Sequence, residues 1–172
     1  NYMALDAHTG YGPAEGRHSG NAIRYAEEDG YLEKYCVIGI EEEHLPQNVW
    51  IDVVNNPFID CITAEDIFVR EKRSFRQAVA HAVAFTDDDF CGIGLNLQAV
   101  QGQHFGPSGA FGATVQQARQ YVSLAAGGSR AAFLHLCQSG HHHAQAATAE
   151  DNGLVMALLV QDFVKAIEEV QE

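Results

Sequence analysis

Apolar and polar residues alternate along this chain with two periods. Short apolar runs of strand length are separated by longer stretches in which apolar residues recur every three or four positions. Tyr2–Asp6 reads as a strand ending on a charge, and Tyr35–Ile40 (YCVIGI) as a buried strand by its length and β-branching. Asp60–Thr63 (DCIT), Cys91–Leu97 (CGIGLNL) and Ala131–Cys137 (AAFLHLC) complete the strand set. A helix is expected near Asn21–Glu33 and a helical turn within Pro46–Val54. Later helices announce their starts. Thr63-Ala-Glu-Asp66, Ser74-Phe-Arg-Gln77, Thr114-Val-Gln-Gln117 and Thr148-Ala-Glu-Asp151 all fit the capping box, in which the first side chain accepts from a free backbone N–H and the fourth reaches back to another. The spacing predicts burial of Phe75, Val79, Ala82 and Val83 on one helix and of Val115, Ala118, Val122 and Ala125 on the next. On the last helix it predicts burial of Leu154, Leu158, Leu159, Phe163 and Ile167, with Asp162, Lys165 and Glu169 on the polar side. Gly127-Gly-Ser129 reads as a helix stop.

Strands and helices that alternate in this way predict an α/β fold, a mainly parallel sheet with helices on both faces. No internal repeat or linker divides residues 1–172, so a single domain is expected. Such a sheet binds ligands at the carboxyl ends of its strands. Three strand ends carry candidate chemistry: Asp6-Ala-His8-Thr-Gly10, Asn96-Leu-Gln98, and Cys137-Gln138 followed by His141-His142-His143. Asp6 and His8, two residues apart, suit half of a metal site; an Asp at a strand end also serves as a loop cap. His141–His143 reads either as a second metal element or as a solvated loop. Cys137 with a nearby histidine suggests nucleophilic chemistry, but no third residue orients the pair. There is no phosphate-binding P-loop and no GxSxG elbow.

Composition narrows the partners. Among 172 residues, 10 Lys and Arg face 23 Asp and Glu, a formal net charge of −13 with no basic stripe, which makes the chain a poor candidate for a phosphate-backbone binder and argues against nucleic acid. No run of 18 apolar residues occurs, which argues against a membrane-spanning segment, and no basic, then apolar, leader is visible. Cys36, Cys61, Cys91 and Cys137 form no CxxC pair and sit in apolar runs. They read as buried free thiols suited to a reducing compartment, hence a cytoplasmic location.

The segment ALDAHTG resembles the Asp-Ala-His-Thr-Asp motif of the arginase superfamily, the ureohydrolases. Ser19-Gly20-Asn21 is similar to the Ser-Gly-Asn of the arginase substrate loop, and GLNLQAV at 94–100 aligns with the second Asp-x-Asp motif. EGRHSGNAIRYA, IDCITAEDIF, REKRSFRQAVAHAVAFT and ARQYV most resemble the formimidoylglutamase branch. The resemblance implies a three-layer α/β/α fold and a pair of manganese ions at the strand ends. There a bridging hydroxide attacks a guanidinium or formimino carbon, its pKa lowered by the cations. It also implies that this chain, starting at Asn1 in mid-strand, lacks the family's N-terminal portion. The open sheet edge would then be covered by another chain, as a homo-oligomer or a mixed assembly.

By the same resemblance Asp6 and His8 match metal ligands, and Ser19, Asn21 and Gln138 match substrate-binding positions. Gly10 replaces the third ligand of the first motif, and Asn96 and Gln98 replace both aspartates of the second. Neutral amides hold such cations poorly in competition with water. The expectation is therefore a relative with a degraded binuclear site, acting in binding or assembly. One alternative is an active manganese-dependent hydrolase of formimidoylglutamate, arginine or agmatine, small amino-acid derivatives, if the natural protein carries carboxylates where this sequence has Gly and amides. Another is a rebuilt single-metal site from Asp6, His8 and one of His141–His143.

Overall fold

The computed structural model describes residues 1–101, 112–137 and 146–171, with side chains described through 137 and from 153 to 170. Five parallel strands, β1 (Tyr2–Leu5), β2 (Tyr35–Ile40), β3 (Ile59–Thr63), β4 (Cys91–Asn96) and β5 (Ala131–Cys137), stand in the order β3-β2-β1-β4-β5. The first strand thus lies at the centre, and the chain winds outward to each edge in turn. Helices α1 (Ala22–Glu28), α2 (Gln47–Asn55), α3 (Ala64–Phe68), α4 (Phe75–Phe85), α5 (Val115–Gly128) and α6 (Ala146–Gln171) connect and flank the strands.

Strand alternation divides the core into two layers. Met3, Leu5, Cys36, Ile38, Ile93 and Leu95 face α4, α5 and α6. Ala4, Tyr35, Val37, Ile40 and Ile59 face the other way, onto Val49 and Val53 of α2 and Ile23 of α1. Gly39 interrupts the alternation. It has φ +90, and the register between β2 and β3 shifts there, so Ile38 and Ile40 fall on opposite faces. This bulge re-aims the chain as it leaves β2.

Two of the four predicted capping boxes form in full, and a third forms in half. Thr63, Ser74 and Thr114 each accept from the backbone N–H three residues on, and Ser74 and Thr114 complete the reciprocal box with Gln77 and Gln117. The fourth is corrected: α6 begins at Ala146, ahead of Thr148. The helix expected near Asn21–Glu33 ends at Glu28, because Gly30 takes a left-handed φ of +77 and the chain turns there. On α6 the buried stripe is Val155, Leu159 and Ala166, flanked by Phe163 and Ile167, while Leu154 is exposed. Asp162, on the side expected to be polar, receives Nε and Nη2 of Arg119 at 2.7 and 2.9 Å and ties α6 to α5.

All four cysteines are free, Cys36 and Cys91 buried and Cys61 and Cys137 half-buried. No helix among the described residues is long and apolar enough to cross a membrane. Tyr121 of α5 is fully buried, and its hydroxyl has no hydrogen-bond partner among the described residues. Removing an unsatisfied buried hydroxyl relieves its desolvation, so Tyr121→Phe is expected to stabilise the fold by about 1 kcal/mol. Thermal or urea unfolding measures this, and a lower midpoint would show that the hydroxyl contributes to stability.

Candidate functional site

The loop that follows β1 is built around two side chains. Asn21 is fully buried, and its amide is consumed: Nδ2 donates to the carbonyls of Pro13 and Gly16, both at 2.8 Å, and Oδ1 accepts from the His18 N–H at 3.0 Å. Arg24 on α1 donates through Nε to the Gly12 carbonyl at 2.9 Å, lies over the Tyr11 ring, and pairs with Asp52. The loop so folded leaves Ser19 exposed at the mouth of a cavity of about 310 Å³. Asp6, Gly10, Asn96, His135 and Cys137 line that cavity at the strand ends, and Tyr2, Tyr35 and Gly94 line it deeper along the sheet.

Within it Asp6 and Asn96 meet across the β1–β4 pair. The Asn96 Nδ2 donates to both oxygens of the Asp6 carboxylate at 3.2 Å, while its Oδ1 accepts from the Gln98 backbone N–H at 3.0 Å. The Asp6 Oδ1 also accepts from the His8 N–H at 3.0 Å, so Asp6 acts as a loop cap as well. Asn96 thereby caps the short 3-10 turn Leu97–Ala99, of which Gln98 is the middle residue. Gly10 sits at φ +62, where a Cβ would lie 2.9 Å from Cγ1 of Ile23. A side chain at position 10 would therefore be strained in its backbone and crowded by α1.

His8 leaves the cavity. Its ring stacks on His44, centroids 4.5 Å apart, beyond the end of β2, and its Nδ1 lies 3.7 Å from the Asp6 carboxylate. Hydrogen bonding to Asp6 holds the His8 pKa above the ordinary histidine value, against the opposing effect of partial burial. A histidine raised in this way stabilises the fold fully below the unfolded value of about 6.5 and loses that contribution as pH rises through its folded pKa. The expected NMR titration of His8 therefore has a midpoint above about 6.5, which Asp6→Asn moves down. A midpoint that ignores the substitution would remove Asp6 as the cause.

Cys137 is held as the thiol. Burial, with the nearby Asp6 charge, pushes its pKa up to about 11, which disfavours the thiolate needed for nucleophilic chemistry. Gln138 and His141–His143 lie outside the described residues. Two residues with a place near the site are not foretold by the sequence: His135, whose ring nitrogen is 3.1 Å from the Tyr2 hydroxyl, and Glu41, buried just past β2.

Among the described residues these donors do not fit a manganese pair. Position 10 offers no side chain, Asn96 presents an N–H2 group to Asp6, and His8 turns toward β2. The arrangement can hold a small polar molecule beside an aromatic wall; it does not gather the anionic ligands two dications need.

No protein-family model and no curated protein matches the sequence. Solved structures do match. A hypothetical agmatinase from Burkholderia thailandensis aligns over 99% of this chain and 51% of its own, with a TM-score of 0.76 at 15% identity. Formiminoglutamase from Trypanosoma cruzi, solved with two Mn²⁺ ions, aligns over 96% of this chain and 55% of its own, with a TM-score of 0.74 at 16% identity. Arginase from Bacillus cereus aligns over 94% and 61%, with a TM-score of 0.74 at 13% identity. The chain has the arginase-like α/β fold, as the sequence motifs implied, and spans about half the length of the structures it matches.

Proposed function

We propose that this chain is a relative of the ureohydrolases, nearest the formimidoylglutamase branch, that does not build the binuclear manganese centre from its own residues and acts in binding or assembly rather than hydrolysis. The observation that carries this reading is the Asn96 amide, which donates to both oxygens of Asp6 at 3.2 Å. A metal ligand at that position would have to accept an ion, whereas this side chain supplies N–H groups to the one carboxylate left. Gly10 adds to it, since a ligating side chain at that position would be strained in its backbone and crowded by Ile23.

The test is a manganese-supplemented assay of the purified chain on formimidoylglutamate, arginine and agmatine, following formamide or urea release. No turnover above the metal-only blank is expected, and paramagnetic resonance should lack the signal of an exchange-coupled manganese pair. Turnover of any of the three substrates would overturn the reading.

A further inference from the structure

Past the Gly39 bulge, the chain places a carboxylate in an unusual setting. Glu41 is 3% exposed, and its backbone N–H donates to the Ala7 carbonyl at 3.2 Å. The His44 N–H then donates back to the Glu41 carbonyl at 2.9 Å, closing the 3-10 turn Glu42–His44 and folding the imidazole over the Glu41 side chain. The Glu41 Oε2 lies 3.2 Å from Nδ1 of His44, yet Nδ1 is buried without a hydrogen bond. Among the described residues no N–H or O–H donates to the Glu41 carboxylate. A buried carboxylate without donors is costly, by several kcal/mol as an order of magnitude. The charged or titratable groups that bear most on it are His44, His8, Glu43 and Glu65; no lysine or arginine is among them. Its neighbour Glu42 differs, because Arg70 pairs with it at 2.8 Å while also holding Asp66.

We propose that Glu41, Glu43 and His44 form a site for one divalent transition-metal ion, separate from the strand ends of β1 and β4. One donor atom from each of the three lies within 4.8 Å of the others. Two donors bound to the same ion at about 2.1 Å stand roughly 3.0–3.4 Å apart. The Oε2–Nδ1 separation of 3.2 Å, outside hydrogen-bond geometry, matches that edge. Glu41 and His44 are the fixed pair. Glu43, 75% exposed in its side chain and 3.8 Å from Nε2 of His44, can rotate toward the Nδ1 side as the third ligand, and water completes the shell. Mixed carboxylate and imidazole donors suit ions of borderline hardness such as zinc, cobalt or manganese. His8, stacked on His44 with ring planes 12° apart, is a positioning residue that fixes the imidazole plane. The ion supplies a fixed positive charge where Glu41 otherwise has only the imidazoles of His44 and His8. The site goes beyond the reading above: it needs none of the family's ligand positions except His8, and there only as a stacking ring.

Cobalt(II) is the probe, titrated into the full chain and read by its visible ligand-field absorption, with zinc competition measured by calorimetry. One ion per chain is expected. Glu41→Gln and His44→Gln should each weaken binding by about tenfold or more. Glu43→Gln, at an exposed position where folding is not at issue, should also weaken it. Circular dichroism confirms that the two buried variants remain folded. His81→Gln, which breaks a separate surface pair with Asp60, should change nothing. The proposal is overturned if the chain shows no saturable cobalt spectrum. It is equally overturned if all variants bind alike, or if His81→Gln abolishes binding. Loss of binding in Asp6→Asn with retention in Glu41→Gln would also overturn it, by moving the ion to the β1 strand end. Each of these outcomes is independent of whether the chain turns over formimidoylglutamate.

Discussion

Asn96→Asp is expected to destabilise the fold at neutral pH by about 2–4 kcal/mol, through loss of a hydrogen bond to a charged group and the repulsion that replaces it. The Asn96 amide now bridges Asp6 and the Gln98 N–H, with Nδ2 on the carboxylate at 3.2 Å. A carboxylate in its place keeps the contact to Gln98 and turns its second oxygen toward Asp6. Two carboxylates in contact cannot both ionise cheaply, so the pair retains a proton to a higher pH in the folded state than in the unfolded state. The sign follows. The folded form binds more protons than the unfolded one, so stability falls as pH rises from about 4, the unfolded carboxylate value, and the loss is complete at neutral pH. Below about pH 4 the variant and the unsubstituted chain should unfold at nearly the same temperature. At pH 7 they should differ by roughly 4–16 °C, at about 2–4 °C per kcal/mol for a chain of this size. Thermal unfolding across that range measures it. A variant as stable as the parent at pH 7 would mean that the Asn96–Asp6 contact does not hold the site together.

Position in the chain foretold this contact better than residue type did. Asp6 and Asn96 were legible as candidates because parallel strands deliver their last residues to one edge, and the register Leu5↔Leu95 puts the two side by side. That position 96 carries an amide in place of a carboxylate was legible too, as a departure from a metal-binding pattern; that this amide donates to Asp6 was not. The direction taken by His8 was not. From an extended segment it has a choice of neighbours, and His44 decides it from 36 positions away in the sequence. Glu41 was hidden for a similar reason. Glu41-Glu-Glu-His44 reads as a solvated turn, and its burial depends on the bulge at Gly39 and the carbonyl of Ala7, neither of which leaves a local pattern.

The elements themselves divide along the same line. Tyr35–Ile40 and Ala131–Cys137 were legible to the residue, because an apolar run bounded by polar turns has few ways to pair. The stripe of α6 was ambiguous, since Leu154, Val155, Leu158, Leu159, Val160 and Val164 surround most of the helix. Only docking on α5 selects Val155 and Leu159 and leaves Leu154, Val160 and Val164 exposed. The aromatic row on the opposite face had no sequence signal, because it depends on glycines in another strand. A Cβ at Gly92 would lie 2.3 Å from Cζ of Phe133, and one at Gly94 would lie 2.0 Å from the Tyr2 hydroxyl. The two rings lie flat over β4 from either side, 6.3 Å apart.

That face carries the second large effect: the chain is expected to associate with itself. β5 hydrogen-bonds to β4 alone among the described strands, so no described strand pairs with its outer edge. Its Leu134 and Leu136 lean on the α5–α6 layer, whereas Phe133 is 52% exposed on the side where the buried core under α1 and α2 is drawn from β1, β2 and β3. Parallel sheets are ordinarily covered on both faces, and a free edge with an exposed aromatic ring is a template for another strand. A second copy offers the same edge, so two chains can join about a two-fold axis, β5 against β5, each covering the other's Phe133. Light scattering should therefore give a mass of at least about twice the 18.7 kDa of one chain. Phe133→Lys places a charge at the middle of the edge without touching the layer under Leu134 and Leu136. It should return the mass to 18.7 kDa with an unchanged circular dichroism spectrum. A monodisperse species of 18.7 kDa for the unsubstituted chain at working concentration would end the argument, since β5 would then be tolerated as a bare edge.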